Sequence, residues 1–407
     1  MKIGYWLGNG DIKSGGVGSY AWRLLELLLS QNNHLNINLL ILCYPEVEKN
    51  CLNLLDKYQI KGEICLIPKQ FGLLDRSLSK FSNLISLILG KINFSIDGLK
   101  YLNPWFRWFA SLDIQILHVP YQTAPLLSHF PYPFVVTMHD VQEIHFPEFF
   151  TPQERCYRAI NYLKALENSS AIVVSFDHIK QDLIKYFRMP ESKIYVCPLP
   201  YQTILLDKPT WEDNVKYQKK FAHLPKEFIL YPAQTWQHKN HLSLIHAIET
   251  INNKFHRLIH LVCTGRKNPD FFPVIENYLK QSQISDQIHF LDIVPEKELY
   301  WLYKNCSMVV IPTLYEAGSF PLLEAMSLEV PVICSSVTSL PETIGDSRFL
   351  FDPLNIPEMA NLIIQLSDDT QLRIANVINS KKQFKELKQK NTASLFVEMW
   401  DKTYQVK

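Results

Sequence analysis

The chain has no apolar run approaching the roughly 20 residues a helix needs to span a bilayer, which argues against a membrane-spanning segment. Its start, MKIGYWLGNG, has no apolar signal core and leads straight into a strand-like segment, so a cytoplasmic protein is expected. Eight cysteines are present (Cys43, Cys51, Cys65, Cys156, Cys197, Cys263, Cys306 and Cys334), but no Cys-x-x-Cys pair. Several sit inside apolar runs such as LVCTG and PVICSS, which favours buried free thiols over a disulfide framework or a zinc site and fits a reducing compartment. Net charge is nearly absent: 41 basic against 40 acidic residues leave +1, so there is no long-range field for nucleic acid, and no such partner is expected. Internal repeats of 20–50 residues and low-complexity tracts are missing as well.

What is there describes a two-domain α/β protein. At 407 residues, with 47% hydrophobic and 20% charged residues, the chain is too long for one ordinary core and too apolar for disorder. Strands are expected over Lys2–Leu7, Asn36–Cys43, Ile114–Val119, Phe134–Met138, Ala171–Ser175 and Lys193–Cys197, with helices over Ser19–Ser30, Thr151–Glu167 and Asp177–Phe187. Such short, continuous apolar runs suggest strands buried on both faces, hence a parallel sheet covered by helices. The alternation stops at Pro198-Leu199-Pro200. Residues 201–227, polar, proline-containing and without a clear period, read as the connection between a first domain (1–200) and a second (228–385). There the pattern restarts, with strands at Phe228–Tyr231, Ile259–Cys263, Gln287–Phe290, Met308–Ile311 and Pro331–Cys334. Helices are expected at His241–Asn252, Phe272–Gln281, Glu296–Asn305 and Phe320–Ser327. Residues 71–109 interleave apolar and basic residues. They read first as an excursion packed on the first sheet, with a membrane-surface or lipid-acceptor role as the alternative.

The most informative stretch runs from Tyr315 to Met326, YEAGSFPLLEAM, between an apolar strand and the next one. Gly318 is expected to open a tight turn, Ser319 to cap a helix beginning at Phe320, and Pro321 to sit in its first turn. A strand, a turn and a helix N-terminus make an anion site, which suits a diphosphate. Glu316 and Glu324 bracket it, eight positions apart, and carboxylates accept well from vicinal hydroxyls. Taken singly, each glutamate is more often a surface charge; in this context the functional reading is preferred.

The segment resembles the E-x7-E signature of family 4 glycosyltransferases, a retaining family of the GT-B fold. Glu316, Gly318, Pro321, Glu324, Ala325, Met326, Pro331 and Val332 match its usual pattern. Ala317, Ser319 and Glu329 depart from it, Glu329 standing where many members carry glycine. The resemblance runs over nearly the whole chain and implies two Rossmann-like doubly wound domains facing each other across a cleft, with a C-terminal helix over 386–407 crossing back to the first. It implies that the turn at Gly16, Val17 and Gly18 lies by the donor phosphates and the acceptor, and that His139, in Val136-Thr137-Met138-His139-Asp140, lies near the donor sugar. A strand-end imidazole there is expected to donate to a hydroxyl or to developing charge. Lys239, in a Lys-Asn pair like the family's, would hold the diphosphate; the family's upstream arginine is absent, with Gln234 near its place, and Arg266 is the candidate substitute.

These residues predict a glycosyltransferase that moves a hexose-type sugar from a nucleotide-diphosphate sugar to a saccharide or lipid-linked acceptor. Peripheral membrane contact is an alternative attached to residues 71–109. The catalytic set is His139, Glu316 and Lys239. Gly16, Val17, Gly18, Arg266, Gly318, Ser319, Phe320 and Glu324 are assigned to the donor. No Asp-x-Asp suggests a metal-held diphosphate, so no cofactor beyond the donor and no strictly required metal are expected; a metal reading of His238 with His241 lacks a third ligand, and a metal reading of the cluster of His139, Glu143 and His145 stays open as a lesser alternative. Rival readings are an epimerase of the same fold, an NAD-dependent dehydrogenase, disfavoured by the missing G-x-G-x-x-G and its acidic ribose partner, and a non-catalytic sugar-nucleotide binder.

Overall fold

Every strand pairing in the described residues is parallel, which explains why the strands read as unbroken apolar runs. The structure is a computed structural model that describes residues 1–10, 16–35, 37–60, 62–70, 72, 101–124, 130–203 and 206–405, without the side chains of residues 32 and 33. Most of the 71–109 segment therefore lies outside the described residues. The chain divides into two compact units, Met1–Thr203 with Asn391–Lys407, and Ile204–Lys390.

The first unit is built on seven strands: β1 (Lys2–Gly8), β2 (Asn38–Cys43), β3 (Glu63–Leu66), β4 (Ile116–Val119), β5 (Phe134–Thr137), β6 (Ala171–Val174) and β7 (Ile194–Val196). Their order is β3-β2-β1-β4-β5-β6-β7. The second holds β8 (Ile229–Pro232), β9 (Leu261–Thr264), β10 (Ile288–Phe290), β11 (Met308–Ile311), β12 (Val332–Ser335) and β13 (Leu350–Phe351), in the order β10-β9-β8-β11-β12-β13. In both sheets the winding direction reverses once, between β1 and β4 and between β8 and β11. Such a switch point is where open α/β sheets leave a crevice at their carboxyl ends. β4, β5, β6, β8, β9, β11 and β12 are buried at every position, so helices cover both faces.

Trp211–Lys220, inside the stretch expected to be an irregular connection, is a helix. Thr210 caps it in a reciprocal capping box with Asp213, but Tyr217 is its one buried residue, so no apolar stripe marks it in the sequence. All eight cysteines are free, with Cys156 exposed rather than buried. No helix among the described residues is long and apolar enough to cross a membrane.

The helix Thr392–Gln405 belongs to the first unit and buries Ala393, Phe396, Met399, Trp400 and Thr403, an i, i+3, i+4, i+7 stripe. Its anchor is Trp400, whose Nε1 donates to His118 Nδ1 at 3.1 Å. A face of that imidazole lies flat against Tyr5, ring centroids 5.6 Å apart. In the second unit His241, first residue of the helix His241–Phe255, packs on the Tyr231 ring at 4.6 Å.

Burial pushes His118 and His241 each down to about 3, so both are neutral in the fold. The unfolded chain takes up these protons near pH 6.5. Below that value the unfolded state binds more protons than the native one. The stabilising contribution is thus complete above about pH 6.5 and shrinks as pH falls toward 3, by roughly 1.4 kcal/mol per pH unit for each histidine. Denaturant titrations from pH 7.5 to 5 should show that fall, and His241→Phe should flatten it. Identical slopes for the variant and the wild type would refute the assignment.

Glu329 follows the helix Phe320–Ser327 with φ of 57°, a left-handed backbone. That accounts for glycine at this place in the family resembled, since a side chain there costs about 1–2 kcal/mol. The ion pair of Glu329 with Lys381 at 2.8 Å is half exposed and compensates little. Glu329→Gly is expected to raise stability by about 0.5–1 kcal/mol in urea unfolding, and a loss of stability would show that the ion pair outweighs the strain.

Candidate functional site

The two strands at the second switch point carry the two residues that meet. The loop after β8 passes through a short turn, Gln237–Lys239, and stops at Asn240, whose φ of 58° reverses the chain. Tyr231 Oη donates to the Lys239 carbonyl at 2.8 Å. Asn240 Nδ2 donates to the carbonyls of Pro312 at 2.9 Å and Pro353 at 3.1 Å, tying this turn to the end of β11. From the other side, the Leu314 N–H at 2.8 Å and Thr313 Oγ1 at 3.0 Å reach the His238 carbonyl. Laced in this way, the loops bring Lys239 Nζ to 2.8 and 2.6 Å from the two carboxylate oxygens of Glu316.

Glu316 is held by its backbone as well. Its N–H donates to Thr338 Oγ1 at 3.1 Å, and its carbonyl accepts from Thr338 Oγ1 at 2.7 Å and Ser339 Oγ at 3.1 Å. Thr338, just beyond β12, is itself left-handed at φ of 48°. Thr338, Ser339 and Asn240 thus fix the geometry of the pair. The Lys-Asn pair marked Asn240 in the sequence; nothing there marked the other two, which lie more than twenty residues from Glu316.

Ser319 caps the helix Phe320–Ser327, its Oγ accepting from the Leu322 N–H at 3.4 Å, with Pro321 in the first turn. That first turn has no acidic residue. Gly318 is not held at positive φ; the glycines that are, among the described residues, are Gly8, Gly265 and Gly345. The turn is therefore made without a positive φ at Gly318.

Glu324 is buried, not a surface helix charge, and accepts from Tyr303 Oη at 3.0 Å. Burial, reinforced by the Glu324 charge, pushes the Tyr303 hydroxyl well above its usual value. Glu324 is thus held by Tyr303 of the helix Glu296–Asn305. Arg266 follows Gly265, whose φ of 118° and lack of a side chain let the end of β9 press on Ala233 and Gln234. The Arg266 carbonyl accepts from the Thr235 N–H at 3.1 Å, while its side chain is exposed. Gln234 Oε1 accepts from Trp236 Nε1 at 3.0 Å.

The remaining residues lie in the first unit. Gly16, Val17 and Gly18 open the helix Gly16–Ser30; Gly15 is outside the described residues. A Cβ added at Gly16 would meet nothing within 4 Å, so space alone does not demand glycine there. Val17 lines a cavity of about 670 Å³ at the β1/β4 switch point, together with Trp6 and Tyr121. His139, just past β5, is buried, with Nε2 donating to the Pro120 carbonyl at 3.0 Å and its ring edge-on to Tyr20 at 4.7 Å. Burial lowers its pKa, so the ring is neutral and Nδ1 is left as an acceptor. The ring N–H is thus already engaged by the Pro120 carbonyl.

Glu143 and His145 go separate ways, Glu143 to Arg158 at 3.2 Å and His145 to Asp182 at 2.7 Å. Among the described residues no three His, Cys, Asp or Glu side chains are placed to hold a metal ion.

Residues 213–384 match the family model described as Glycosyl transferases group 1. O-antigen chain mannosyltransferase B of Escherichia coli is 26% identical over 294 residues, covering 71% of this chain and 76% of that protein. O-antigen chain mannosyltransferase RfbU of Salmonella typhimurium is 23% identical over 233 residues, 57% of this chain and 59% of its own length. Among solved structures, sucrose-phosphate synthase from Thermosynechococcus elongatus matches with a TM-score of 0.68 over 100% of both chains at 16% identity. HepE from Anabaena, in complex with UDP-glucose, matches with a TM-score of 0.66 over 100% of both chains at 15% identity. The fold is that of the GT-B structures, two parallel sheets with flanking helices. With the family match and these relatives, the chain is a glycosyltransferase.

Proposed function

We propose that this glycosyltransferase moves a hexose-type sugar from a nucleotide-diphosphate donor to a saccharide or lipid-linked acceptor with retention of anomeric configuration. The names of the O-antigen relatives favour mannose as the sugar. The observation that carries the reading is the Lys239–Glu316 pair at the β8/β11 switch point. Near it in the chain stands a helix N-terminus that has no acidic residue in its first turn.

In this reading the donor diphosphate lies at the helix start, where Ser319 and Phe320 are, and takes Lys239 as its cation, with Arg266 as the second. Glu316, relieved of part of its ion pair, accepts from the sugar hydroxyls, and Glu324 from the ribose. The anomeric C–O bond to the diphosphate breaks while the acceptor oxygen bonds to the same face. The acceptor's proton passes to the leaving phosphate. Lys239 stabilises the charge that grows on that phosphate, the electrostatic contribution usually largest in such reactions. His139 accepts from a sugar hydroxyl through Nδ1.

A thermal-shift series with GDP-mannose, UDP-glucose and their free nucleotides tests the donor class, because a ligand of the native state raises the melting temperature. A rise with at least one nucleotide sugar that is lost in Lys239→Ala is expected. No rise with any of them, at concentrations that saturate related enzymes, would sink the reading.

A further inference from the structure

We infer that Tyr20 is a positioning residue for His139, set in place by a buried polar seam of His118, Thr137 and Ser175 that starts at Trp400 of the helix Thr392–Gln405; its consequence for transfer rests on the glycosyl-transfer reading. Side chains alternate along a strand, so one face of the first sheet carries Tyr5, His118 and Thr137 together. Tyr5 stands opposite His118 in the register of β1 and β4, and His118 opposite Val135, two residues before Thr137. Tyr20 and Ser175 join them, and all five are buried. An unpaired polar group in a core costs free energy, so such a seam persists where its members satisfy one another.

The direction of the seam follows from its first bond. An indole N–H can only donate, so Trp400 Nε1, at 3.1 Å, makes His118 Nδ1 an acceptor. The neutral imidazole therefore carries its proton on Nε2, and Thr137 Oγ1 accepts it at 3.4 Å. Thr137 keeps its own O–H for Tyr20, whose hydroxyl lies beside those of Thr137 and Ser175. Neither Tyr20 Oη nor Ser175 Oγ has another hydrogen-bonding partner among the described residues. The same helix is pinned a second time, one residue along, where Tyr5 Oη donates to the Ala21 carbonyl at 2.6 Å. Held in this way, the Tyr20 ring meets His139 edge-on, centroids 4.7 Å apart and planes at 77°. The Pro120 carbonyl fixes which nitrogen of His139 bears the proton, but one bond leaves the ring free to turn about it. The edge of Tyr20 removes that freedom. Nδ1, which in transfer accepts from a sugar hydroxyl, then keeps a single direction.

NMR of the full chain with nitrogen-15 in its histidine rings tests this, the His139 signals being identified by their loss in His139→Gln. In the wild type His118 and His139 should each show one tautomer, with the proton on Nε2. Thr137→Val removes a hydroxyl and keeps the shape; Tyr20→Phe removes a hydroxyl and keeps the ring. Each should shift or broaden the His139 signals, and Thr137→Ser should bring them back. Trp400→Phe should let His118 populate both tautomers and should move His139 as well. With GDP-mannose, or with UDP-glucose where only that donor raises the melting temperature, Thr137→Val and Tyr20→Phe should lower kcat about tenfold at an unchanged donor KM, the effect of a misplaced catalytic ring. A seam that is merely structural would lower the melting temperature of these variants and leave His139 where it is. Unmoved His139 signals in both Thr137→Val and Tyr20→Phe, or wild-type kcat in both, would overturn the proposal. The signals are read without substrate, so absence of transfer in the wild type is a failure of the transferase reading, and a stationary His139 ring in the variants is a failure of this one.

Discussion

Lys239→Ala should lower transfer by about two to three orders of magnitude, the effect of removing one preorganised partner of a developing charge. Its ammonium is the group nearest the carboxylate of Glu316, at 2.6 Å, and no other basic side chain is bonded to that carboxylate among the described residues. Glu316→Ala should fall by a similar factor. The double variant should be scarcely worse than either single one, because residues that act as a unit do not contribute additively. The fold should survive. Both side chains keep some solvent contact, 19% and 11% exposed, so the carboxylate left behind in Lys239→Ala retains water. The backbone of Glu316 keeps its three bonds to Thr338 and Ser339. Initial rates with the native donor, read alongside melting curves, decide the matter. Wild-type turnover in a properly folded Lys239→Ala protein would remove this residue from the mechanism.

Trp400→Ala should destabilise the first unit by about 3–5 kcal/mol, the usual result of deleting a fully buried large aromatic. Trp400 has no exposed surface and packs edge-on to His118 at 5.6 Å. Its removal also strips His118 of the N–H that Nδ1 accepts at 3.1 Å. Trp400→Phe keeps most of the apolar volume and loses only that bond, which predicts about 1–2 kcal/mol. Denaturant unfolding measures both, and limited proteolysis should cut the Trp400→Ala protein near residue 391. Stability equal to wild type in Trp400→Ala would mean that the helix is not an integral part of the unit.

The sequence shows most of both sheets because their strands are buried on two sides. Met308–Ile311 and Ala171–Val174 are apolar without interruption, and no competing pattern exists for them. β3 was not legible for the opposite reason: at the edge of its sheet, Glu63–Leu66 is partly exposed throughout and carries a charge. β13 is two residues long, too short to show any period. The helix Thr370–Gln389 buries only Asn376, Ser380, Phe384 and Leu387, two of them polar, so no apolar stripe announces it. Asn376 exchanges both its amide groups with the backbone of Val332, a contact that only the folded chain reveals.

The site was readable in its residue types, through Glu316, Lys239 and the capped helix after β11. It was not readable in its supports. Thr338 stands beside Glu316 because β12 runs next to β11, a consequence of strand order rather than of local pattern. The chemistry of His139 was likewise hidden, since which ring nitrogen is left for a ligand depends on the Pro120 carbonyl nineteen residues earlier in the chain.

The return of residues 391–407 to the first unit sets an order of events on the ribosome. Residues 204–390 can collapse as a continuous piece as soon as they emerge, whereas the earlier-made lobe waits for Phe396 and Trp400 to pack on His118. The part synthesised first is therefore the last to be sealed. A stop codon a few codons before Trp400 should accordingly send nascent chains to proteolysis through their oldest half.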